Sequence, residues 1–416
     1  MTNTAQSSET RLHAISIAVA LAIVFVAAAV ATPPAEAQTF NVLYTFTGGA
    51  DGRFPFAGLI SDAKGNLYGT TLNGGSSACS DGCGVVFMVD ETGSEKVLHH
   101  FTGTKGDGAC PYAGLVRDAK ANLYGTTYYG GSGKCYDGYG YGCGTVFKVD
   151  KAGKETVLHS FTESGGDGTY PQTGLIQDAA GNLYGATYQG GASSYGTVFM
   201  LDKTGKETVL YGFSGSPDGA GPVDFGYLVR DANGSLYGTT AEGGASDVGT
   251  VFKLDKAGKE TVLYSFTGTG GDGSYPIAGL LRDAAGNLHG TTETGGASGD
   301  GTVFMLDKTG KETVLYSFLG TGFADGAEPE AGLARDSKGN LYGTTSAGGS
   351  SGFGTVFKVG KNGKETVLHS FAYFDGAVPF AGLLRDANGN LYGTTEYGGT
   401  YGGGPYGKGT VFELIP

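Results

Sequence analysis

Short apolar segments separated by turn residues recur along most of this chain, and residues 226–266 show the pattern clearly. They contain four segments, YLVR, SLYGTT, TVFKLD and TVLYSF, each short and rich in Val, Leu, Tyr, Phe and Thr. Segments of this kind, bounded by turns, predict β-strands rather than helices. The intervening D-A-N-G and D-K-A-G-K stretches supply Asp and Gly where tight turns need them. The repeat is therefore predicted to be an antiparallel meander of four strands.

The fourth segment predicts how the sheet is buried. Because neighbouring side chains of a strand point to opposite sides, Tyr264 and Phe266 are expected on one face and Leu263 on the other. Apolar groups on both faces suit a small sheet that packs against a neighbour on each side. A glycine inside the second segment, Gly238, permits close backbone approach.

A motif close to NLYGTT occurs seven times, with copies that begin at residues 66, 122, 182, 235, 287, 340 and 390. Self-similarity at this period indicates a repeat architecture, and four strands per repeat are the signature of a β-propeller blade. The fold class is accordingly predicted to be all-β, with seven blades of four antiparallel strands.

The two ends of the array predict a closed ring. VLYTF at 42–46 matches a fourth strand, whereas GTVFEL at 409–414 matches a third strand. The seventh blade therefore lacks its outer strand unless the N-terminal segment supplies it, and such closure removes exposed sheet edges. The prediction is one seven-bladed β-propeller over residues 38–416, completed by residues 42–46.

The repeat also resembles a known family. GL-x-R-D-x-x-G-N-L-Y-G-T-T, followed by GG, GTVF-K-L-D and G-K-E-T-V-L-Y-S-F, is similar to the GloVer repeat of the choice-of-anchor tandem repeat GloVer-containing proteins. The resemblance covers residues 38–416. It implies an exported bacterial protein, often with a variable surface anchor, and it supplies neither a ligand nor an activity.

The N-terminus predicts export. Arg11 precedes the uncharged run at 15–31, and an A-x-A site at 35–37 precedes Gln38, the order found in a secretory signal peptide. Residues 1–37 are thus predicted to be removed between Ala37 and Gln38, leaving a secreted, periplasmic or cell-surface protein with no stable membrane span. An uncleaved anchor is the alternative, because 17 apolar residues are at the short end of a spanning helix.

Charge narrows the range of partners. The net charge is -13, and no basic patch of the kind that phosphate groups require is apparent, so nucleic acid is not an expected partner. We expect a monomer with no cofactor.

Two residue types raise the question of a metal. Seven Asp residues precede Gly in the connections between blades: Asp51, Asp107, Asp167, Asp218, Asp272, Asp325 and Asp375. They could bind calcium, but a feature shared by every blade is better explained as a turn cap. The histidines of the strands lie in separate repeats and are not expected to converge on one ion. No metal site is predicted.

The glutamates divide into repeated and non-repeated groups. Those of the G-K-E-T turn are expected at the surface: Glu155, Glu207, Glu260, Glu312 and Glu365. The non-repeated ones include Glu242, Glu293, Glu328, Glu330 and Glu396. Glu242, Glu293 and Glu396 follow strand two, so a catalytic carboxylate pair is conceivable, although a solvated loop explains them as well.

The five cysteines crowd into the first two repeats. We predict disulfides Cys79–Cys83 and Cys135–Cys143, in keeping with an oxidising compartment. Cys110 is left over, either free or able to exchange into one of these pairs. Zinc is the alternative, but CxxC spacing is lacking.

The candidate ligand-binding residues are tyrosines of the long loops. They are Tyr128, Tyr129, Tyr136, Tyr139, Tyr141, Tyr188, Tyr195, Tyr397, Tyr401 and Tyr406. Such rings could stack on sugars or on peptide side chains, or they could pack on each other and stiffen glycine-rich loops.

Three functions remain open on these grounds. The first is an exported, non-catalytic propeller that binds a glycan or an extracellular protein on the face carrying the long loops. The second is a secreted carbohydrate-active enzyme, a glycoside hydrolase or lyase, that uses loop acids such as Glu242 and Glu396. The third is a purely structural surface protein.

Overall fold

The protein is described by a computed structural model that covers residues 38–135, 142–222, 226–320, 322, 325–400 and 407–416. Its compact unit is Gln38–Pro416. Seven small antiparallel sheets stand around a central channel, and the described residues contain strands and turns but no helix. The predicted seven-bladed β-propeller is confirmed.

Each blade has four strands, numbered one to four from the channel outward. The innermost strands are Ile60–Ser61, Val116–Arg117, Ile176–Gln177, Val229–Arg230, Leu281–Arg282, Ala334–Arg335 and Leu384–Arg385. The second strands are Leu67–Thr71, Leu123–Thr127, Leu183–Thr187, Leu236–Glu242, Leu288–Thr292, Leu341–Thr345 and Leu391–Thr395.

The outer half of each blade follows the same order. The third strands are Val85–Val89, Thr145–Val149, Thr197–Leu201, Thr250–Leu254, Thr302–Leu306, Thr355–Val359 and Thr410–Ile415. The fourth strands are Glu95–His100, Glu155–Ser160, Glu207–Gly212, Glu260–Ser265, Glu312–Ser317, Glu365–Ser370 and, for blade 7, Thr39–Thr45.

Short ribbons join each connection between blades to the loop after strand two. They pair Gly108–Ala109 with Tyr129–Gly130, Gly168–Thr169 with Gln189–Gly190, Gly273–Ser274 with Thr294–Gly295, and Gly326–Ala327 with Ala347–Gly348. In blade 4, Ala220–Pro222 pairs directly with the end of strand two.

The ring is closed by the two ends of the chain, as the permuted repeat predicted. Thr39–Thr45 pairs antiparallel with Thr410–Ile415, and so completes blade 7. At the inner edge of the same junction, the Thr394 hydroxyl donates a 3.1 Å hydrogen bond to the carbonyl of Ala57 in blade 1. Closure therefore supplies the outer strand of blade 7 and joins the last blade to the first.

The expected alternation in strand four is wrong at one position. Val251 pairs with Tyr264 and Phe252 pairs with Val262, so Leu263 is left without a partner in the ladder. This β-bulge breaks the two-residue period. Leu263 and Tyr264 consequently pack against the same buried cluster instead of facing opposite ways. The register shifts at the matching place between strands three and four in the other blades.

The core lies between the blades. The phenylalanine that ends strand four of one blade meets, edge to face, the strand-three phenylalanine of the next, with ring centroids 5.0–5.3 Å apart. The pairs are Phe46–Phe87, Phe101–Phe147, Phe161–Phe199, Phe213–Phe252, Phe266–Phe304, Phe318–Phe357 and Phe371–Phe412. Every ring is fully buried or nearly so. Offset pairs of this kind add to the stabilisation that apolar burial provides.

The glycine of the NLYGTT motif makes room for that core. A Cβ on Gly290 would lie 2.7 Å from Cζ of Phe304 and 3.1 Å from Cδ2 of Leu280. The same contacts recur at the equivalent glycine of every blade. A side chain cannot be accepted there without moving the phenylalanine that joins the blades.

The threonines of the motif link neighbouring blades and the two middle strands. The first threonine hydroxyl donates to a carbonyl of the next blade, as Thr70 does to Ala113 and Thr291 does to Ala331. The second threonine meets a strand-three threonine, as Thr292 meets Thr302 at 2.8 Å. These bonds satisfy buried hydroxyls that would otherwise be costly.

The remaining residues of the motif organise the turn side of the blade. In blade 1 the Tyr68 hydroxyl and the Asn66 amide both donate to the Asp62 carboxylate, which opens the turn between strands one and two. Arg117 of the next blade lies 5.8 Å from the centre of the Tyr68 ring. Similar contacts join Arg230 to Tyr184, Arg282 to Tyr237 and Arg385 to Tyr342.

The glutamates of the G-K-E-T turn are not surface residues, which corrects the sequence-based expectation for Glu155, Glu207, Glu260, Glu312 and Glu365. Each is half-buried, with an Oε1 atom that lacks a hydrogen-bond partner among the described residues. Burial, and then the Asp272 carboxylate of the preceding blade, raise the pKa of Glu312 to about 7. The expectation failed because exposure depends on the neighbouring blade, which a single repeat does not show.

Replacing the motif glycine should weaken the interface between blades. We expect Gly290→Ala to lower the free energy of unfolding by about 1–3 kcal/mol, because the new methyl group overlaps Phe304. Urea unfolding followed by tyrosine fluorescence would measure the change. Gly322→Ala is the matched control, since no described residue beyond its chain neighbours lies within 4 Å of a Cβ at that position. Equal effects of the two substitutions would contradict this account of the motif.

The half-buried glutamates should make stability depend on pH. Because the folded-state pKa of Glu312 lies above its unfolded value, the folded chain holds the proton more tightly, and stability falls as pH rises from about 4.5 to about 7. Glu312→Gln should therefore match the wild type near pH 5 and melt higher at pH 8. We expect a gain below about 1 kcal/mol, because solvent screens a half-exposed group.

The control for this measurement is Glu91→Gln, which alters an exposed glutamate of a strand-three-to-four turn. A melting difference between Glu312→Gln and the wild type that is the same at pH 5 and pH 8 would argue against the raised pKa.

Candidate functional site

One end of the ring carries the connections between blades and the loops after strand two, and we call it the loop face. The frame of the repeat is nearly the same in every blade, but three loop-face positions differ from blade to blade. They are the residues before and after the proline of each connection, and the residue after the strand-two threonines. The residue after the proline that each blade carries in its connection is Phe56, Tyr112, Gln172, Val223, Ile277, Glu330 or Phe380. The residue after strand-two threonines is Leu72, Tyr128, Tyr188, Ala241, Glu293, Ser346 or Glu396.

The residue before that proline has an uncommon backbone conformation in all seven blades. Its φ lies between 56° and 60° in Phe54, Cys110, Tyr170, Gly221, Tyr275, Glu328 and Val378. Six of these residues carry a side chain, and a left-handed conformation of that kind costs of order 1–3 kcal/mol. Backbone hydrogen bonds hold the position, such as the bonds from the Tyr275 amide to Val248 and from the Glu293 amide to Tyr275.

A continuous row of rings crosses the loop face from blade 7 to blade 3. Phe380 stacks on Phe56 with centroids 4.6 Å apart, Phe56 contacts Tyr112 at 5.3 Å, and Tyr112 contacts Tyr128 at 5.3 Å. Tyr128 stacks on Tyr170 at 5.0 Å. We call these five residues the aromatic strip. Tyr170 is buried, whereas the other four are half-buried and keep part of their surface open to solvent.

Five of the ten candidate tyrosines lie within the described residues. Tyr128 belongs to the strip, and Tyr129 packs edge-on against it at 4.6 Å. Tyr397 packs against Phe54 at 5.2 Å, while Tyr195 is exposed and its ring lies over Gly215. The ring of Tyr188 lies beside Gly221. Tyr136, Tyr139, Tyr141, Tyr401 and Tyr406 lie outside the described residues.

Some of the described tyrosines pack on other aromatic rings, which is one of the two interpretations that the sequence allowed. Phe380, Phe56, Tyr112 and Tyr128 nevertheless keep part of their surface exposed to solvent. Phe56, Tyr112, Tyr170 and Phe380 were not among the predicted binding residues, because those residues were taken from the long loops. An alignment of the seven repeats with each other, position by position, would have found them.

Four glutamates gather beside the strip in blades 5 to 7, and we call Glu293, Glu328, Glu330 and Glu396 the acidic cluster. Glu330 is 8% exposed, and its Oε2 has no hydrogen-bond partner among the described residues. Burial, then the charges of Glu293, Glu328 and Glu396, raise the pKa of Glu330 to about 8.

The pKa values of two other members of the acidic cluster are also raised. Burial raises the pKa of Glu396 to about 7 and also raises that of Glu293. The fold does not bring Glu242 and Glu396 together as a catalytic pair. Glu242 is exposed in blade 4, whereas Glu396 is buried in blade 7 and lies beside Glu330.

The central channel is narrowed by one tyrosine. Six blades place glycine at the channel wall, at Gly58, Gly114, Gly174, Gly279, Gly332 and Gly382, and blade 4 places Tyr227 there. A side chain at Gly114 or Gly174 would overlap the Tyr227 ring. Burial raises the pKa of the Tyr227 hydroxyl. The cavity that remains has a volume of about 650 Å³ and reaches Phe56 and Tyr112 of the strip.

The aspartates of the connections cap their turns, as the simpler interpretation held. The Asp107 carboxylate accepts the Thr102 backbone N–H at 2.7 Å, and each of the other six accepts the equivalent amide. His99, Asp107 and Glu155 form a grouping whose potential ligand atoms lie within 4.8 Å of one another. The sequence-based prediction considered histidines only in combination with each other, so it did not include this grouping of His99, Asp107 and Glu155, which spans two blades.

Both predicted disulfides, Cys79–Cys83 and Cys135–Cys143, are present, and Cys110 is free. The Cys110 side chain packs in the same cluster as Cys79 and Cys83. Burial, and then the charge of Asp81, raise the pKa of the Cys110 thiol to about 11.

Comparison with known proteins identifies the repeat. The sequence profile of the Gloeobacter/Verrucomicrobia repeat matches residues 30–175, 133–283 and 225–416. The chain belongs to this family. The Gloeobacter/Verrucomicrobia repeat is the family that the motif comparison named as GloVer. No curated protein sequence matches the chain. Within the described residues, no helix is long and apolar enough to cross a membrane.

Solved structures share the propeller. Virginiamycin B lyase from Staphylococcus aureus is 11% identical, covers 91% of this chain and 99% of its own, and has a TM-score of 0.57. The extracellular domain of a protein described as a hybrid two-component system from B. thetaiotaomicron is 13% identical over 90% of this chain, with a TM-score of 0.55.

A second extracellular domain from B. thetaiotaomicron, of a protein described as a one-component system, is 12% identical over 89% of this chain, with a TM-score of 0.58. The match covers 41% of the first B. thetaiotaomicron chain and 39% of the second. At such identities these likenesses show the fold alone.

The free thiol offers a direct check on the loop-face cysteines. Because the Cys110 pKa is raised to about 11, little thiolate exists at pH 8, and alkylation by iodoacetamide should be at least about tenfold slower in the folded protein than in denaturant. Mass spectrometry should find one label per chain after unfolding, and none in Cys110→Ser. Rapid labelling of the folded protein, or more than one label, would contradict the assignment.

Proposed function

We propose that this chain is an exported, non-catalytic propeller that binds a glycan on its loop face through the aromatic strip. The observation that carries the proposal is a row of stacked, partly open rings at the one end of the ring where the repeats diverge. A repeated frame needs the same residues in every blade, so differences between blades are free to serve a ligand.

The chemistry of the strip suits a sugar. The C–H groups on one face of a pyranose ring form an apolar surface that packs flat against an aromatic ring. Stacking of Phe380 on Phe56 and of Tyr128 on Tyr170 fixes these rings before any ligand arrives. A site that is already ordered loses less entropy on binding.

Two further features support a role outside the cytoplasm. The predicted signal segment and the two disulfides suit an oxidising compartment. Two of the similar structures are extracellular domains. In this proposal the mature protein is secreted, periplasmic or at the cell surface.

Hydrolysis of the bound glycan is a second candidate, and the observation that favours it is the raised pKa of Glu330. A carboxyl group with a pKa of about 8 is neutral at pH 7 and could protonate a leaving oxygen, with the Glu396 carboxyl group as its partner. Release of reducing ends from a bound polysaccharide, lost in Glu330→Gln, would establish this activity in place of simple binding.

Binding should be tested with the compact unit Gln38–Pro416 on a glycan array, followed by titration of the best ligand. We expect Tyr112→Ala and Tyr128→Ala each to weaken binding at least tenfold, or roughly 1.4 kcal/mol, because each removes a stacking surface. Melting curves would show that both variants are folded.

Phe374→Ala is the matched control, since its ring is 65% exposed and lies outside the strip. Its affinity should equal that of the wild type. A folded wild-type protein that binds no glycan would overturn the proposal and leave a protein partner or a structural role.

A further inference from the structure

We propose that the acidic cluster is a subsite for the ammonium group of a glycan that carries free amino groups. This inference rests on the proposed function, because it assumes that the aromatic strip holds the sugar rings. It adds the charge of the ligand and the residues that would recognise that charge.

The cluster is short of positive charge. None of Glu293, Glu328, Glu330 and Glu396 forms an ion pair within the part of the chain that the structure describes. Glu330 is more than nine-tenths buried and has one carboxylate oxygen without a hydrogen-bond partner there. Burying a carboxyl group with one oxygen unpaired and no counter-charge is unfavourable, and burial raises the pKa of Glu330 although a side-chain hydrogen bond with Ser346 acts to lower it.

The fold does not require these carboxylates. The position of Glu330 is filled by phenylalanine in blades 1 and 7, by tyrosine in blade 2, by glutamine in blade 3, by valine in blade 4 and by isoleucine in blade 5. The position of Glu396 is filled by leucine, tyrosine, alanine or serine in five other blades and by Glu293 in blade 5. Since blades 1 to 4 form without any of these four carboxyl groups, the unfavourable burial is better explained by a ligand than by packing.

An organic cation fits the cluster better than a metal ion. Among the described residues, the grouping with all potential ligand atoms within 4.8 Å is His99, Asp107 and Glu155, so the four glutamates are not arranged that tightly. A metal ion needs several oxygens at short distances around one centre. An ammonium group can instead be held by one or two carboxyl groups, with water accepting its remaining hydrogen bonds.

The cluster and the Phe380 end of the strip belong to neighbouring blades, which favours a sugar over a peptide as the source of the cation. Glu330 and Phe380 occupy equivalent positions in neighbouring blades, and the charge of Glu396 in blade 7 acts on Glu330. Tyr397, next to Glu396, contacts Phe54 of blade 1. A sugar ring stacked at the Phe380 end of the strip would therefore direct an amino substituent toward carboxylates.

The test compares two oligosaccharides of equal length, one of glucosamine and one of N-acetylglucosamine, by calorimetry with Gln38–Pro416. The two differ in whether the nitrogen carries a charge. We expect the wild type to bind the glucosamine oligomer at least tenfold more tightly, and Glu330→Gln to bring the two affinities within about threefold. Glu91→Gln makes the same replacement of a carboxyl group by an amide on an exposed turn residue and should keep the full preference.

The outcomes separate this inference from the proposed function. Equal affinity of the wild type for both oligomers, or an equal loss of preference in Glu91→Gln, would overturn the ammonium subsite while leaving glycan binding in place. Absence of binding to either oligomer and to every glycan on the array would overturn the proposed function itself. Binding of a lysine-containing peptide that Glu330→Gln abolishes, with no binding of either oligomer, would overturn the glycan as the source of the cation.

Discussion

The edge-to-face contact between phenylalanines of neighbouring blades is the interaction on which the whole ring depends. Each blade ends its fourth strand with a phenylalanine that meets the strand-three phenylalanine of the next blade, so no blade has a core of its own. The strand-two glycine is part of the same contact, because its missing side chain is the space that the ring occupies. A repeat that buries its apolar surface only against its neighbours is stable only within a closed set.

This constraint explains where variation is found. Leucine, glycine and the two threonines of the motif all face the contact between blades, so a change there affects two blades at once. The loop face lies at the ends of the strands, outside those contacts. Its side chains can differ between blades, and the aromatic strip and the acidic cluster are both made from positions that differ. The fixed interior and the variable end are two consequences of one packing arrangement.

This packing has an unfavourable consequence, because some of the enclosed polar groups lack hydrogen-bond partners among the described residues. The half-buried glutamates of the G-K-E-T turn face an aspartate of the preceding blade, and their pKa values are raised by burial and then by that aspartate. In blade 7 the equivalent position is Phe40, which stacks on His369 at 3.7 Å instead. The junction between blades 6 and 7 thus replaces an unfavourable pair of acids with an apolar contact.

The sequence by itself determined the seven blades, the strand order, the closure by residues 42–46 and both disulfides. It could do so because turn residues, alternation and repeat period are local properties that recur seven times. Tertiary structure decided what meets across blades. It placed Leu263 in a bulge, enclosed Glu312 beside Asp272, assembled Phe380, Phe56 and Tyr112 into one strip, and brought Glu330 to Glu293 and Glu396. These residues are distant in the chain or belong to different blades, so their contacts follow from the curvature of the ring and not from any single repeat.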